Sequence, residues 1–280
     1  MIYFLTVNYY SRELTEKLLQ SICVQGEIPY CVAIVNNSPG DESIRELASE
    51  SVVVLEAGEN LGFGGGCNLG LQWIYRQDPQ AIVWSINPDA VLLPGMLARV
   101  PQFFAMHPEV SILGTIVYDP TGELWFAGGH FIPETGAIAQ QNCLTNSSKM
   151  GYVICDWVTG CSLLMNLSNF SQCPAFDADY FLYYEDFDFC RRYAALGHLI
   201  GITERIAIVH YPSSVADRKI RKKYNYSTYS YLKAMETYTS KIVFALRLLR
   251  LVLYAMLLIA VKPAVAMGKL EGVWKYLGRR

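Results

Sequence analysis

The sequence predicts an α/β fold with a mostly parallel central sheet, helices on both of its faces and a C-terminal amphipathic helical tail. Three observations carry this expectation. Short apolar runs alternate with helical patterns through the first hundred residues, a polar or glycine-rich cluster follows each of those runs, and the last forty residues are apolar with basic residues set into them. Strands that alternate with helices mark βαβ units, and hence a parallel sheet covered on both faces.

Residues 1–7, with Ile2, Phe4, Leu5 and Val7, read as a buried strand. A polar turn at 8–11 then leads to a helix in which Leu14, Leu18, Leu19 and Ile22 recur at helical spacing. Residues 32–35 form a second strand, 43–49 a short helix, 52–55 a third strand, 67–76 a helix and 82–86 a fourth strand. Beyond residue 110 the pattern loosens into short β-like runs at 111–117 and 124–131. A helix starts near Glu185, and residues 206–209 form another apolar run.

Of the 280 residues, 52% are hydrophobic and 17% charged, which excludes a disordered chain. Eight cysteines without a C-x-x-C pair, and an opening stretch unlike a cleavable signal peptide, are expected of a reduced, cytoplasmic protein. The net charge of −2 is unevenly placed. Residues 1–210 hold 9 Lys and Arg against 22 Asp and Glu, whereas residues 211–280 hold 14 against 3. An acidic body argues against a nucleic-acid partner, and a basic, apolar tail points to an anionic membrane surface.

In open α/β sheets ligands bind beyond the carboxyl ends of the strands. Four clusters occupy those ends: Asn8; Asn36, Asn37 and Ser38 with Asp41; Asn60 with Gly62, Gly64, Gly65 and Gly66; and Asn87-Pro88-Asp89. One such cluster is what a turn alone would give, but four in succession describe a crevice. The glycine run is neither a Walker loop nor a dinucleotide fingerprint, since the lysine and the third glycine are missing. It is expected to bring bare backbone to a ligand and to aim the N-terminus of the following helix at a diphosphate. Asp89 reads either as a turn cap or as an oxygen ligand for Mg²⁺ or Mn²⁺ shared with substrate phosphates.

Residues 176–188 pack five carboxylates among aromatics. Asp188 faces Arg191 and Arg192 at helical spacing, while Glu185 and Asp186 start the helix, where a carboxylate with apolar neighbours serves as a general base. His210 ends an apolar run and becomes a candidate metal or diphosphate contact if it lies beside Asp89.

These motifs, in this order and together with Thr159-Gly160-Cys161 and Val209-His210, resemble the family 2 GT-A glycosyltransferases. Among them the chain is most similar to bacterial rhamnosyltransferases of O-antigen or other surface polysaccharides. The resemblance implies an inverting, metal-dependent transfer of L-rhamnose from dTDP-L-rhamnose to a lipid-linked saccharide. A UDP-sugar donor and a non-catalytic nucleotide-sugar-binding protein are the alternatives. It makes Asp186 the catalytic base with Glu185 its partner, and Asn36 and Asp41 base-side donor contacts. Asn8, Asn60, Gly62, Gly64, Gly65 and Asn87 become donor-binding residues, and Asp89 and His210 ligands of Mg²⁺ or Mn²⁺. Asn36 and Asn87 stand where many members carry aspartate.

The resemblance ends near His210, so residues 1–210 are expected to form the catalytic domain, with a donor part at about 1–100 and an acceptor part at about 101–210. Residues 211–280 are expected to be a membrane-associating tail. Residues 242–261 have the length of a membrane span, but Arg247 and Arg250 interrupt it, which favours a helix lying in the interface with both arginines toward phosphates. Arg218, Lys219, Arg221, Lys222 and Lys223, and later Lys262, Lys269, Lys275, Arg279 and Arg280, add attraction to anionic lipid. The expected location is the cytoplasmic face of a bacterial inner membrane, and no feature of the sequence sets an oligomeric state.

Overall fold

The computed structural model describes residues 1–26, 28–143, 151–212 and 220–279. Arg218, Lys219 and Arg280 of the expected basic clusters lie outside the described residues. The first block is the predicted alternation: β1 (Ile2–Asn8), α1 (Arg12–Cys23), β2 (Tyr30–Asn36), β3 (Val52–Glu56), α2 (Gly62–Gln77) and β4 (Ile82–Ile86). All four strands are parallel, in the order β3-β2-β1-β4. Every residue of β1 is buried, as a strand covered by helices on both faces requires.

Three local expectations change. The expected helix at 43–49 is a tight 3-10 turn at Ser43–Leu47. The helix expected at 67–76 starts five residues earlier, so the glycine run lies inside α2 instead of preceding it. There it allows close packing, because a Cβ on Gly70 would sit 2.1 Å from Leu5 Cδ1 and one on Gly66 2.8 Å from Val7 Cγ1. Finally, α3 (Met96–Met106) is an element absent from the sequence-based expectation, and Pro101 lies inside it.

The second half extends the sheet. β5 (Ala90–Leu92), β6 (Val110–Tyr118), β7 (Leu124–Phe126), β10 (Val153–Ile154), β11 (Ser162–Asn166) and β12 (Leu199–His210) complete a sheet of ten strands, eight along the path β10-β12-β6-β11-β4-β1-β2-β3, with β5 paired to β12 and β7 to β6 off it. β11 is antiparallel to both of its neighbours, and β6 and β12 are parallel. The run expected at 124–131 is split between β7 and a separate hairpin, β8 (Gly129–Ile132) with β9 (Ala137–Gln140). At the centre Trp84 stacks on Phe4, with ring centroids 5.3 Å apart, and its indole N–H donates to Ser162 Oγ at 2.9 Å.

α4 (Glu185–Ala195) covers the second block, and α5 (Ile220–Tyr238), α6 (Lys241–Leu258) and α7 (Pro263–Leu277) follow. α5 packs on the body. Ala234 and Met235 enter the main core, Tyr238 donates its hydroxyl to Asp188 Oδ1 at 2.8 Å, and Lys233 meets Asp177 at 2.9 Å and Asp179 at 2.7 Å. Among the described residues no helix is long and apolar enough to cross a membrane. Arg247 Nε donates to the Thr135 carbonyl at 2.7 Å, and Arg250 is exposed.

Candidate active site

The carboxyl ends of β1 and β2 are tied together by amide side chains. Asn8 Nδ2 donates to Asn36 Oδ1 and Ser38 Oγ, and Asn8 Oδ1 accepts from Ser11 N and Ser11 Oγ. Asn36 Nδ2 donates to the Asp41 carbonyl at 2.7 Å and to Glu56 Oε2 at 2.9 Å, while its Oδ1 also accepts from Ser38 N. Both residues are buried, and every side-chain donor and acceptor on them is used. Buried amides must be paired, and here Asn8 and Asn36 pair with one another and with their neighbours to shape the crevice wall. Asp41 stays half-exposed at its rim. Its carboxylate accepts from Ser43 Oγ at 2.6 Å and Ser43 N at 3.0 Å, and these bonds, the hydroxyl's first, hold its pKa below the ordinary value.

Asn37, to which sequence reasoning gave no role, extends the wall to β3. It donates to Asn60 Oδ1 and the Gly62 carbonyl and accepts from Leu61 N. Asn60 Oδ1 accepts from Gly62 N, and Phe63 N donates to the Phe181 carbonyl. The N–H groups of Leu61, Gly62 and Phe63 at the start of α2 are thus partnered by protein. Gly62, at φ +75°, lies so close to Phe181 that a Cβ would stand 2.1 Å from its carbonyl oxygen. Gly64 gives similar clearance to Phe176 and Glu185, and a Cβ on Gly65 would meet Leu61.

The loop that the glycines admit, residues 176–184, ends in two tyrosines with left-handed backbone, Tyr183 at φ +68° and Tyr184 at φ +65°. Such conformations cost about 1–3 kcal/mol each and gather where geometry serves function. Here they deliver Glu185 and Asp186 to the first turn of α4. Asp186 Oδ2 accepts from Gly160 N at 2.8 Å and Oδ1 from Phe187 N at 2.8 Å. Burial raises the Asp186 pKa, and those two N–H groups oppose the rise. Glu185 is 6% exposed, its Oε2 has no partner, and burial first and the Asp186 charge second push its pKa well above the usual carboxylate range. The N–H groups of Gly160 and Phe187 favour charge on Asp186, while burial and the Asp186 charge disfavour it on Glu185.

On the opposite wall Asp89 Oδ1 lies 3.2 Å from His210 Nε2, with Trp125 edge-on to the imidazole at 4.9 Å. β5 pairs with the end of β12, and Tyr211 N donates to the Asp89 carbonyl at 2.8 Å, so two residues 121 apart in sequence meet. Asn87 holds the turn through its backbone, its N–H donating to the Cys161 carbonyl at 3.0 Å. Cys161 lies between the walls: burial raises its thiol pKa, and the charges of Asp89 and Asp186 both add to the rise. Like Asn37, Gly160 and Cys161 are site residues that sequence reasoning left without a role, although the Thr-Gly-Cys turn before the apolar run of β11 was a visible signal.

Among the described residues no set of three or more His, Cys, Asp and Glu side chains gathers to hold a metal. Among the described residues a divalent cation would take Asp89 and His210 from the protein. That donor set fits an ion completed by substrate oxygens and water, as Mg²⁺ and Mn²⁺ allow, and the buried, unpartnered Nδ1 of His210 leaves Nε2 to face Asp89.

The model of the family described as glycosyl transferase family 2 matches residues 4–164, more than half of the chain. The chain belongs to that family. As a family 2 glycosyltransferase it is 25% identical over 230 residues to the N-acetylglucosaminyl-diphospho-decaprenol L-rhamnosyltransferase of Mycobacterium tuberculosis, covering 72% of this chain and 73% of that one. It is 22% identical over 223 residues to the rhamnosyltransferase WbbL of Escherichia coli, covering 75% and 83%. Among solved structures, GalNAc-T7 with UDP, GalNAc and Mn²⁺ matches with a TM-score of 0.63 at 11% identity, over 84% of this chain and 47% of that one. Residues 1–349 of Staphylococcus aureus TarS match at 0.53 and 15% identity, over 98% and 91%. The glycosyltransferase has the GT-A fold and resembles bacterial rhamnosyltransferases.

Proposed function

We propose that this glycosyltransferase moves L-rhamnose from dTDP-L-rhamnose, with inversion, onto a lipid-linked saccharide in surface polysaccharide synthesis. The observation that carries the mechanism is the pair of opposed walls, Asp186 on one and Asp89 with His210 on the other, with Cys161 between them. The rhamnosyl donor rests on the names of the two relatives. A UDP-sugar is the alternative donor.

In this reading the nucleotide lies along the ends of β1 to β3, with Asp41 at its base side and the half-exposed Asn60 and Asn87 lining the crevice. The acceptor hydroxyl approaches Asp186. As its oxygen bonds to the anomeric carbon, its proton passes to the Asp186 carboxylate, and the bond from that carbon to the diphosphate oxygen breaks. The N–H groups of Gly160 and Phe187 fix the carboxylate, so little reorganisation accompanies the proton transfer. Glu185, neutral behind it, keeps a second negative charge away from the acceptor. Asp89 and His210 would hold Mg²⁺ or Mn²⁺, which neutralises the nucleoside diphosphate as it leaves.

Residues 1–100 then serve the donor, 101–210 the acceptor, and 211–280 keep the enzyme at the membrane face where that acceptor resides. The deciding experiment supplies the full-length protein with a panel of dTDP- and UDP-sugars and an extracted lipid-linked acceptor. Transfer from dTDP-L-rhamnose with an inverted anomeric proton coupling supports the reading. Transfer from a UDP-sugar alone replaces the donor, and binding without turnover removes catalysis.

A further inference from the structure

α6 is apolar on two sides, and only one of them is covered. Phe244, Leu248, Leu251 and Val252 pack against Leu232, Val273 and Tyr276 of α5 and α7. Turned the other way, Ile242, Leu246, Leu249, Leu253 and Leu257 are between 49% and 76% exposed. Their spacing keeps them on one stripe, about 22 Å long at the rise of an α-helix. A shallow hollow of about 360 Å³ runs along it, lined by Leu246, Leu249, Arg250, Leu253, Tyr254 and Leu257. Ile259 and Val261 prolong the exposed apolar surface beyond the helix end, and the same hairpin exposes Trp274. An apolar patch of this extent is an interaction surface on a soluble body.

Its charge identifies the occupant. From Lys241 to Arg279 the chain carries seven basic residues, of which Arg279 is paired with Glu236, and one acidic residue, Glu271, which is paired with Arg221. Arg250 lies in the stripe, and the acid beside it is Glu134, which lines an adjoining hollow with Arg247 and Arg250. A second copy docked on this stripe would resemble a coiled-coil seam, but it would offer Arg250 no acidic flanking residue from its own α6. A bilayer bearing anionic headgroups suits both the apolar stripe and the basic flank.

We propose that the outer stripe of α6 lies at the headgroup boundary of an anionic membrane, its leucines in the acyl region and Arg250 among lipid phosphates. This deepens the reading of a lipid-linked acceptor and rests on it for its purpose, but the two are tested apart.

Full-length protein is centrifuged with phosphatidylcholine vesicles, with and without phosphatidylglycerol, at low and high salt. Binding is expected to the phosphatidylglycerol vesicles, with partial release by salt. The double variant Leu249→Glu with Leu253→Glu should lose about tenfold or more of it, and Leu246→Ser with Leu257→Ser should act in the same direction, both with unchanged circular dichroism and unchanged transfer to a short soluble acceptor. Undiminished vesicle binding in both variants overturns the proposal. So does a wild-type dimer, measured by sedimentation equilibrium, that ignores vesicles and becomes monomeric in the variants. Vesicle binding without transfer from any donor leaves the docking surface standing and removes the catalytic reading.

Discussion

Gly160 donates its backbone N–H to Asp186 Oδ2 at 2.8 Å, across 26 residues of sequence, and so ties the turn before β11 to the start of α4. The same turn carries Cys161, which neighbours both Asp89 and Asp186. The two walls of the crevice are therefore registered through one short segment, and the predictions below probe that arrangement.

Replacing Asp186 with Asn keeps the shape but leaves no base, and its single amide oxygen keeps only one of the two backbone contacts from Gly160 and Phe187. Transfer should fall about 10²–10⁴-fold with donor affinity nearly unchanged. Turnover within a few-fold of wild type would reassign the base, with Glu185 the next to test. In the wild type the acid limb of the kcat/KM profile should lie above the ordinary aspartate range, because burial raises the Asp186 pKa and protonation on the falling side removes the base.

Glu185→Gln should stabilise the protein at neutral pH. The raised pKa of Glu185 in the folded state means that the fold holds a proton which the unfolded chain releases. Stability from this group is thus complete below the unfolded value near 4.3 and is lost as pH rises toward the folded value. Thermal melts at pH 4 and pH 8 check this: the variant should melt higher than wild type at pH 8, by a few degrees for about 1 kcal/mol, and the gap should close at pH 4.

Asp89→Ala should lower activity and cation dependence together, since one site would serve both ion and diphosphate. Titrating Mn²⁺ into chelated enzyme measures it. Full wild-type activity in excess EDTA would remove the cation from Asp89 and from His210 alike.

Gly62→Ala and Gly58→Ala form a matched pair, with φ +75° and +77°. At Gly58 a Cβ meets nothing within 4 Å, so only backbone strain of about 1 kcal/mol is expected. At Gly62 it meets the Phe181 carbonyl, and an additional overpacking cost of about 1–3 kcal/mol should appear with a fall in kcat, because the displaced loop carries Asp186. Equal melting and equal kcat in the two variants would show that the loop yields freely.

The sequence by itself determined the alternation of strands and helices through β4, the polar ends of those strands and the placement of Glu185 and Asp186 at a helix start. These follow from periodicity and capping, which depend on neighbours a few residues away. Local reading also has local blind spots: α3 is absent from it, and the glycine run read as an open loop because the close approach of Leu5, Val7 and Phe181 is invisible along the chain.

Only the tertiary structure decided which polar groups remain available. Asn8 and Asn36 look alike as crevice residues until Ser11, Ser38, Asp41 and Glu56 are seen to use every hydrogen bond they can make. Asp89 and His210 are strand-end residues until β5 pairs with β12, and Arg247 is a basic residue of the tail until Thr135 takes its guanidinium. The physical reason is common to all three. A polar group takes its partner from what the fold brings near, at separations that a pattern of period two or 3.6 does not record.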